Sequence, residues 1–419
     1  MENSNQPPMK FTTYHKIVVA LLAFLQFTII LDFMIISPLG AAVMPALKIN
    51  PSQFGLVVSA YAFSAGLSGI LAAGFADKFD RKKLLMFFYI GFIIGTLFCG
   101  LANSYEALLI ARIVTGLFGG VIGSIVLAIT TDIFPLQMRG RVMGIIQTAF
   151  AASQILGIPV GLYLSNHWGW HIPFMMIVAI SILAAFVIWF YLNPIDGHLK
   201  LQHEGHSPLY HLWLTLKNPK YIIAYLTTAL LTTGGYMLMP FGSAFSVNNL
   251  GVSLTDLPLV YLITGLFTIM IGPLVGKISD TFGQFKTFIF GALMTILMVV
   301  IYTHMSVSPL WLVILVNVLL FIGIFSRVIP AQALTSATPS QAQRGSFMAV
   351  NASLQQVSGG IASVIAGLIV VETVAGKIEN FEIIGYILVA TTLISIYTVR
   401  RIEKNVQKQI ANHDALLMH

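Results

Sequence analysis

The sequence contains few charged residues: Asp, Glu, Lys and Arg make up 9% of its 419 residues, against about a quarter in a typical soluble domain. Apolar residues make up 57%. So few charges could not cover a water-soluble protein of this length, which excludes a soluble enzyme and a soluble nucleic-acid-binding protein. A bilayer span needs roughly 20 apolar residues, so the composition supplies about 12 spans and indicates a polytopic membrane protein.

Cysteine and the common catalytic motifs are also lacking. The single cysteine, Cys99, cannot form an internal disulfide or a cysteine-rich zinc site, and we interpret it as a small apolar side chain. There is no P-loop, zinc, nucleophile-elbow or dinucleotide signature. We therefore expect no enzyme activity, no metal and no cofactor.

Long apolar runs fill most of the chain and predict an all-α membrane protein with twelve spans. Lipid-exposed strands would leave backbone groups unpaired, and no alternating pattern indicates a barrel. The first run is too long for the core of a signal peptide. The runs are 17–44, 54–75, 84–103, 106–131, 142–164, 172–192, 221–246, 257–276, 287–304, 309–333, 346–371 and 382–399.

The basic residues fall almost entirely on one side of these spans. Of the 22 Lys and Arg residues, 18 lie in segments on the side of the N-terminus, Lys48 and Lys377 lie on the other side, and Arg112 and Arg327 lie within spans. Loops rich in Lys and Arg stay in the cytoplasm. This predicts a cell-membrane protein with both termini cytoplasmic, whose basic excess meets anionic lipid rather than nucleic acid.

The chain divides into two similar halves. A polar segment, 193–220, separates a six-helix bundle, 1–192, from a second, 221–419 with its short tail. Three of its histidines, His198, His203 and His206, lie within nine residues, and we interpret them as part of a solvated linker because their spacing is unlike that of metal ligands. Asp77 and Asp280 follow the second and eighth spans at an offset of 203. Arg139 and Arg344 precede the fifth and eleventh at an offset of 205, as a duplicated unit predicts.

Four motifs carry a resemblance to a known family. They are Leu31-Asp32-Phe33-Met34-Ile35-Ile36-Ser37-Pro38 in span 1, Ala73-Gly74-Phe75-Ala76-Asp77-Lys78-Phe79-Asp80-Arg81-Lys82 after span 2, Arg112-x-x-x-Gly116-x-x-Gly119-Gly120 in span 4, and Gly157-Ile158-Pro159-Val160-Gly161 in span 5. In this order they resemble the major facilitator superfamily, and within it the twelve-span drug/proton-antiporter branch and its spinster-like relatives. The second motif departs from the family's pattern, because Ala73 and Asp80 replace two glycines.

Asp32 and Arg112 are the charges that the membrane most strongly disfavours. By helix rise they share a depth in the outer half of the bilayer. Burial favours a neutral carboxyl and a nearby guanidinium favours a charged one, a competition that suits a proton-coupling pair. The alternatives are a structural ion pair, a carboxyl that stays protonated, and an arginine that anchors an anionic substrate.

The resemblance implies a central cavity between the two bundles. Arg327 lies in span 10, where it either faces this cavity or reaches for the inner end of the span. At the offset of 205, the position that matches Arg112 is Asn317. Other candidates for the cavity, which could instead bond neighbouring helices or pack, are Gln26, Gln147, Gln154, Asn351, Gln355, Gln356, Tyr236 and Met239.

The resemblance also implies two conformational elements. A cytoplasmic gate would consist of Asp77, Arg81, Asp132, Asp280, Arg139 and Arg344, with an ordinary solvated charge cluster as the alternative. The antiporter motif, Gly157, Pro159 and Gly161, would be a close helix crossing that stiffens span 5 against the other half.

The function expected from these features is proton-coupled antiport, with export of an amphipathic small organic compound by alternating access. The partners would be this substrate, protons and membrane lipid, and we expect a monomer. One alternative is uptake or facilitated transport of a small organic anion or lysolipid, whose negative charge Arg112 and Arg327 would bind. Another is a membrane sensor that does not transport.

Overall fold

The computed structural model describes residues 11–72, 78–200, 214–339 and 343–417. In these residues, twelve helical segments are long and apolar enough to cross a membrane, which confirms the predicted all-α fold. Spans 1 to 6 are Thr13–Ile35, Pro51–Ala72, Arg81–Leu101, Tyr105–Ile133, Met138–Trp168 and Ile172–Tyr191. Spans 7 to 12 are Pro219–Asn248, Leu257–Phe282, Gln284–His304, Leu310–Ala337, Gly345–Ile369 and Phe381–Lys408. Their outer surfaces carry large apolar side chains, as lipid contact requires.

The two ends of the twelve-span bundle are distinguished by where the first span begins and the last span ends. Because successive spans alternate in direction, Thr13 and Lys408 lie at the same end, which we call the terminal face. The other end is the opposite face. The predicted linker, 193–220, lies at the terminal face, and its residues 201–213 fall outside the described part of the chain. The described part of the linker contains the 3₁₀ turn Gly197–Lys200, and a second 3₁₀ turn, Pro219–Tyr221, leads from its end into span 7.

Spans 1 and 7 are broken at equivalent positions. The helix Thr13–Ile35 is followed by the short helix Gly40–Leu47, and Ile222–Leu238 by Gly242–Asn248. Pro38 and Pro240, which are 202 residues apart, lie in the two breaks. Proline lacks an N–H donor, and its ring clashes with the carbonyl of the residue four before it, so it interrupts a helix. The broken helices therefore show the internal duplication in the structure itself.

Span 5 contains a π-helical segment. It consists of the α-helix Leu136–Ala152, the π-helix Ser153–Gly157 and the α-helix Ile158–Trp168. Pro159 cannot donate to the carbonyl of Ile155 four residues before it, and a local widening of the helix relieves the resulting clash. Such π-segments are frequent at functional sites.

The two halves pack together through spans 2 and 11 and through spans 5 and 8. Small residues allow spans 2 and 11 to approach closely: a Cβ on Gly55 would lie 2.7 Å from the carbonyl oxygen of Ser363. This is the small-residue packing expected between membrane helices. A hairpin of Val371–Glu372 and Ile378–Glu379, paired antiparallel, joins spans 11 and 12 at the opposite face.

Candidate functional site

Asp32 and Arg112 form an ion pair inside the first half. Arg112 Nη1 donates to Asp32 Oδ2 at 2.9 Å and to the Asp32 backbone carbonyl at 3.2 Å. Thr96 Oγ1, on span 3, donates to Asp32 Oδ1 at 3.1 Å. All three residues are fully buried. The geometry therefore unites the two charges that the sequence singled out, and it adds Thr96, which apolar periodicity alone does not distinguish.

An aromatic ring holds the other side of the Arg112 guanidinium. Its Cζ lies 4.6 Å from the centroid of the Tyr61 ring on span 2, within the range of a cation–π contact. A Cβ on Gly116 would lie 2.5 Å from the Tyr61 carbonyl oxygen, so this glycine lets span 4 approach span 2. Arg112 Nε and Nη2 have no hydrogen-bond partner among the described residues.

A cavity of about 290 Å³ lies between the halves, mostly against the second. Spans 1, 5, 7, 8, 9 and 10 contribute its walls, which are largely apolar and rich in aromatic rings. The lining residues are Met34, Pro38, Phe150, Gln154, Ile158, Gly235, Tyr236, Leu238, Met239, Gly242, Ser246, Leu257, Val260, Tyr261, Thr264, Gly265, Thr268, Tyr302, Asn317, Leu320, Phe321, Ile324, Phe325 and Val328. This is the concave, mostly apolar setting typical of small-molecule sites.

Among the predicted cavity residues, Gln154, Tyr236 and Met239 line this cavity. Asn317, the counterpart of Arg112, lines it as well. The sequence did not indicate the contribution of span 8, because one threonine or tyrosine in an apolar helix carries no directional signal.

The remaining polar candidates lie elsewhere. The residues Gln26, Gln147, Asn351, Gln355 and Arg327 are not part of the lining. Asn351 Oδ1 accepts a hydrogen bond from Thr228 Oγ1 at 2.7 Å, and Gln356 Oε1 accepts one from the Tyr236 hydroxyl at 3.3 Å. These two bonds join spans 7 and 11, which is the helix–helix alternative for such side chains.

Arg327 points into the packing of the second half. It is fully buried, and its Nη1 donates to Thr392 Oγ1 on span 12 at 2.5 Å. Its Nε and Nη2 have no hydrogen-bond partner among the described residues. The side chain therefore neither faces the cavity nor reaches for the end of its span.

A row of aromatic rings connects the ion pair with the cavity. The Tyr61 ring lies 5.1 Å from the Phe33 ring, and Phe33 lies 5.9 Å from Tyr236, centroid to centroid. Phe33 directly follows Asp32 on span 1, and Tyr236 lines the cavity. A displacement of span 1 at Asp32 would thus shift Phe33 against Tyr236 in the cavity wall.

Span 5 forms a second connection. A Cβ on Gly157 would lie 2.5 Å from Leu31 Cδ1, next to Asp32, and one on Gly161 would lie 2.7 Å from Ile35 Cδ1. The antiporter-motif glycines therefore meet span 1 of their own half rather than the second half. Three residues earlier in the π-segment, Gln154 lines the cavity, and its carbonyl oxygen would lie 3.3 Å from a Cβ on Gly265 of span 8.

The predicted gate residues are only partly described. Arg81 Nε lies 3.1 Å from Asp132 Oδ2, so loop 2–3 meets the end of span 4. Arg139 donates to the carbonyl oxygens of Phe134 and Thr131 at 2.9 and 2.7 Å, which caps the same helix. Asp280 is exposed. Asp77 and the side chain of Arg344 lie outside the described part of the chain.

The halves are closed against each other at the opposite face. Ser243, after the break in span 7, inserts its hydroxyl into the break in span 1: it donates to the Ser37 carbonyl at 3.1 Å and accepts from Ala41 N at 3.4 Å. Asn166 Nδ2 donates to the Leu254 carbonyl, also across the halves, at 2.5 Å. At the terminal face, Cβ atoms on Gly140 and Gly276 would meet nothing within 4 Å.

This duplicated twelve-span architecture agrees with a family comparison. The sequence model of the Major Facilitator Superfamily matches residues 22–363. The chain belongs to the Major Facilitator Superfamily. It is therefore a membrane transporter of this superfamily, as the motifs of spans 1, 2, 4 and 5 indicated.

Curated relatives of this transporter come from bacteria and yeast. The MFS-type transporter YceJ of Bacillus subtilis is 28% identical over 64% of this chain and 68% of its own length. Multidrug resistance protein 3 of the same organism is 30% identical over 35% of this chain and 29% of its own length. The vacuolar membrane amino acid uptake transporter fnx2 of Schizosaccharomyces pombe is 36% identical over 37% of this chain, which is 26% of fnx2.

Solved structures share the fold over nearly the whole chain. A bacterial homologue of the human lysosomal transporter Spinster, in an inward-facing and unoccupied conformation, has a TM-score of 0.71 at 18% identity, with 95% of this chain and 96% of that chain covered. The nucleoside transporter NupG has a TM-score of 0.74 at 14% identity, with 92% and 99% covered. These similarities concern the fold alone.

Proposed function

We propose that this transporter is a proton-coupled antiporter that exports an amphipathic small organic compound by alternating access. The observation that carries the proposal is the buried ion pair of Asp32 and Arg112, connected with the cavity through Phe33 and Tyr236. Ionisable groups inside a membrane are expensive, and they mark ion and proton pathways.

Protonation of Asp32 would remove the charge that attracts Arg112. The guanidinium would keep its bond to the Asp32 backbone carbonyl, 3.2 Å away, and its contact with the Tyr61 ring. Arg112 would thus stay in place while the carboxyl is released. Because span 1 breaks only a few residues later, after Ile35, this change acts next to a hinge.

The released helix would act on the substrate in two places. Phe33 would shift against Tyr236, and Leu31 against Gly157 of the π-segment whose Gln154 lines the cavity. Proton binding and substrate binding would therefore compete through the position of span 1. Such a shared bistable element is what coupling between two sites requires.

Export at the plasma membrane fits the distribution of charge and the relatives. With the basic terminal face in the cytoplasm, the closed opposite face is extracellular, and the cavity would load from the cell interior. Proteins named for multidrug resistance are among the similar sequences. Since the cavity lining contains neither Arg112 nor Arg327, the alternative of an organic anion held by these arginines has less support.

Proton flux in liposomes tests this function. Purified protein is reconstituted with an internal pH dye, and chloramphenicol or ethidium is added as a drug-like probe under a pH gradient. A transported probe should accelerate the collapse of the gradient. Asp32→Asn, which cannot release a proton, should abolish this acceleration.

Asp256→Asn provides the matched control, because Asp256 is an exposed carboxylate outside the spans. It should behave like the parent protein. Probe-driven proton flux that persists in Asp32→Asn would contradict the role of Asp32 and with it the proposed coupling.

A further inference from the structure

The cavity lining carries no formal charge. None of its residues is Asp, Glu, Lys, Arg or His, and all of them belong to the described part of the chain. The buried charges Asp32, Arg112 and Arg327 are absent from it. A charged ligand would therefore leave water without meeting a counter-charge, which is the most unfavourable way to bury an ion.

Six aromatic rings in the wall offer a partial substitute for a counter-charge. They belong to Phe150, Tyr236, Tyr261, Tyr302, Phe321 and Phe325. Aromatic faces attract cations, but the attraction is weaker than the penalty of desolvating an ion without a partner. The same rings pack well against an uncharged aromatic ligand, so the balance favours a neutral molecule.

One buried hydroxyl in the lining is left without a partner. Thr264, on span 8, is 5% exposed, and its Oγ1 has no hydrogen-bond partner among the described residues. The next threonine on the same face, Thr268, donates to the Thr264 carbonyl at 2.8 Å, in the usual manner of helical threonines. An unpaired buried hydroxyl is unfavourable, and a polar atom of a bound ligand would relieve it.

The duplicated architecture also favours an uncharged ligand. Arg112 in the first half corresponds at an offset of 205 to Asn317, and Asn317 lines the cavity with an uncharged amide. The first half thus holds the charged pair, while the second half contributes most of an uncharged ligand site.

We propose that the cavity binds an uncharged aromatic compound, and that Thr264 gives this compound a hydrogen bond. The inference rests on the proposed function in one respect, since it takes this cavity to be the substrate site. It names the substrate class: neutral molecules with ring surface and a hydrogen-bonding group, rather than lipophilic cations or anions.

Two probes of nearly the same shape test the proposal. Triphenylphosphine oxide is uncharged and presents one hydrogen-bond acceptor, and methyltriphenylphosphonium replaces this oxygen with a methyl group and carries a positive charge. Binding is measured by titration calorimetry on purified full-length protein without any gradient. The oxide should bind at least about tenfold more tightly than the phosphonium.

Substitution of Thr264 tests the hydrogen bond. Thr264→Val keeps the shape and should weaken binding of the oxide about tenfold, the equivalent of one hydrogen bond. Thr295→Val is the matched control: Thr295, on span 9, is also buried with an unpartnered hydroxyl, but it lies outside the cavity lining. It should leave the affinity unchanged.

Three results would overturn the proposal. They are equal or tighter binding of the phosphonium, equal effects of Thr264→Val and Thr295→Val, and no binding of the oxide. None of these results tests the proton-coupling role of Asp32, because the binding assay contains no gradient and measures no proton flux. Ethidium-driven proton flux that depends on Asp32 would then preserve the proposed function while this substrate class is rejected.

Discussion

Arg112 and Arg327 are both fully buried in spans, and their surroundings differ. Arg112 meets a carboxylate and an aromatic ring, whereas the hydrogen bond described for Arg327 goes to Thr392. A buried cation without a counter-charge is costly, and even a buried ion pair can often be replaced by apolar side chains of similar volume with a neutral or stabilising effect.

We therefore predict opposite effects when each arginine is replaced by methionine. Arg327→Met should stabilise the protein, because the described residues offer this buried cation a hydrogen bond to Thr392 but no carboxylate. The gain should be about 1–4 kcal/mol, the range for apolar replacement of buried ion pairs. Arg112→Met should destabilise it at neutral pH, since it leaves Asp32 without its cation. Thermal unfolding in detergent, followed by tryptophan fluorescence, measures both. A lower melting temperature for Arg327→Met would show that the buried guanidinium stabilises this fold.

At the residue scale, the sequence identifies the few charged residues within spans better than it predicts where a side chain points. Asp32 and Arg112 could be singled out because charges in spans are few and both lie at one depth. The direction of Arg327 could not be predicted, because its neighbours on span 10 are apolar apart from Ser326 and do not define a polar face of the helix. Tyr61, Thr96 and Thr264 carry no signal before the packing of their helices is known.

Among the elements, the breaks in spans 1 and 7 lock the opposite face. The Ser243 hydroxyl lies between Ser37 O and Ala41 N, the two groups that would bond each other in an unbroken helix. One side chain of the second half thus completes the backbone pairing of the first. Opening of this face must break that bridge.

Ser243→Ala should therefore favour the conformation that is open at the opposite face. The loss of about 1 kcal/mol corresponds to roughly a fivefold shift of the equilibrium. Spin labels at Asn103→Cys, between spans 3 and 4, and at Val374→Cys, in the hairpin between spans 11 and 12, lie at the opposite face in different halves. They should report longer distances, in a background whose native Cys99 is buried. Ser124→Ala, at a hydroxyl bonded within its own helix, is the control. Identical distance distributions for the two variants would contradict the lock.

Loop 2–3 shows why the sequence departs from the family pattern. Asp80, which stands where the pattern has glycine, caps span 3 by accepting from Lys83 N at 2.9 Å. Its other oxygen accepts from Ile195 N at 2.6 Å, and Ile195 O accepts from Arg81 N at 3.0 Å. The departure thus fastens the start of the linker to the first half, a contact that no local pattern could have predicted.

On the scale of the whole molecule, composition and charge suffice to predict the twelve spans, but they do not predict which spans pack against each other. Hydropathy gave the number and approximate bounds of the helices, apart from the breaks in spans 1 and 7. The pairing of span 2 with span 11 and of span 5 with span 8 depends on small residues that face each other, such as Gly55 and Gly367. Hydropathy does not register such pairs.

The charge-free cavity has an electrical consequence. If an uncharged molecule leaves while one proton enters on Asp32, each cycle carries one net positive charge across the membrane. A potential of 100 mV then contributes about 2.3 kcal/mol per cycle, enough for an accumulation of roughly 50-fold. Exchange of a monovalent cation for a proton would be indifferent to voltage.

Valinomycin-treated liposomes without a pH gradient make this measurable. An imposed potassium diffusion potential should drive concentrative movement of uncharged chloramphenicol, and Asp32→Asn should abolish it. Chloramphenicol movement that does not depend on the potential would mean that the exchange carries no net charge. A cavity without charges would thus make the membrane voltage, and not acidity alone, a source of power for transport.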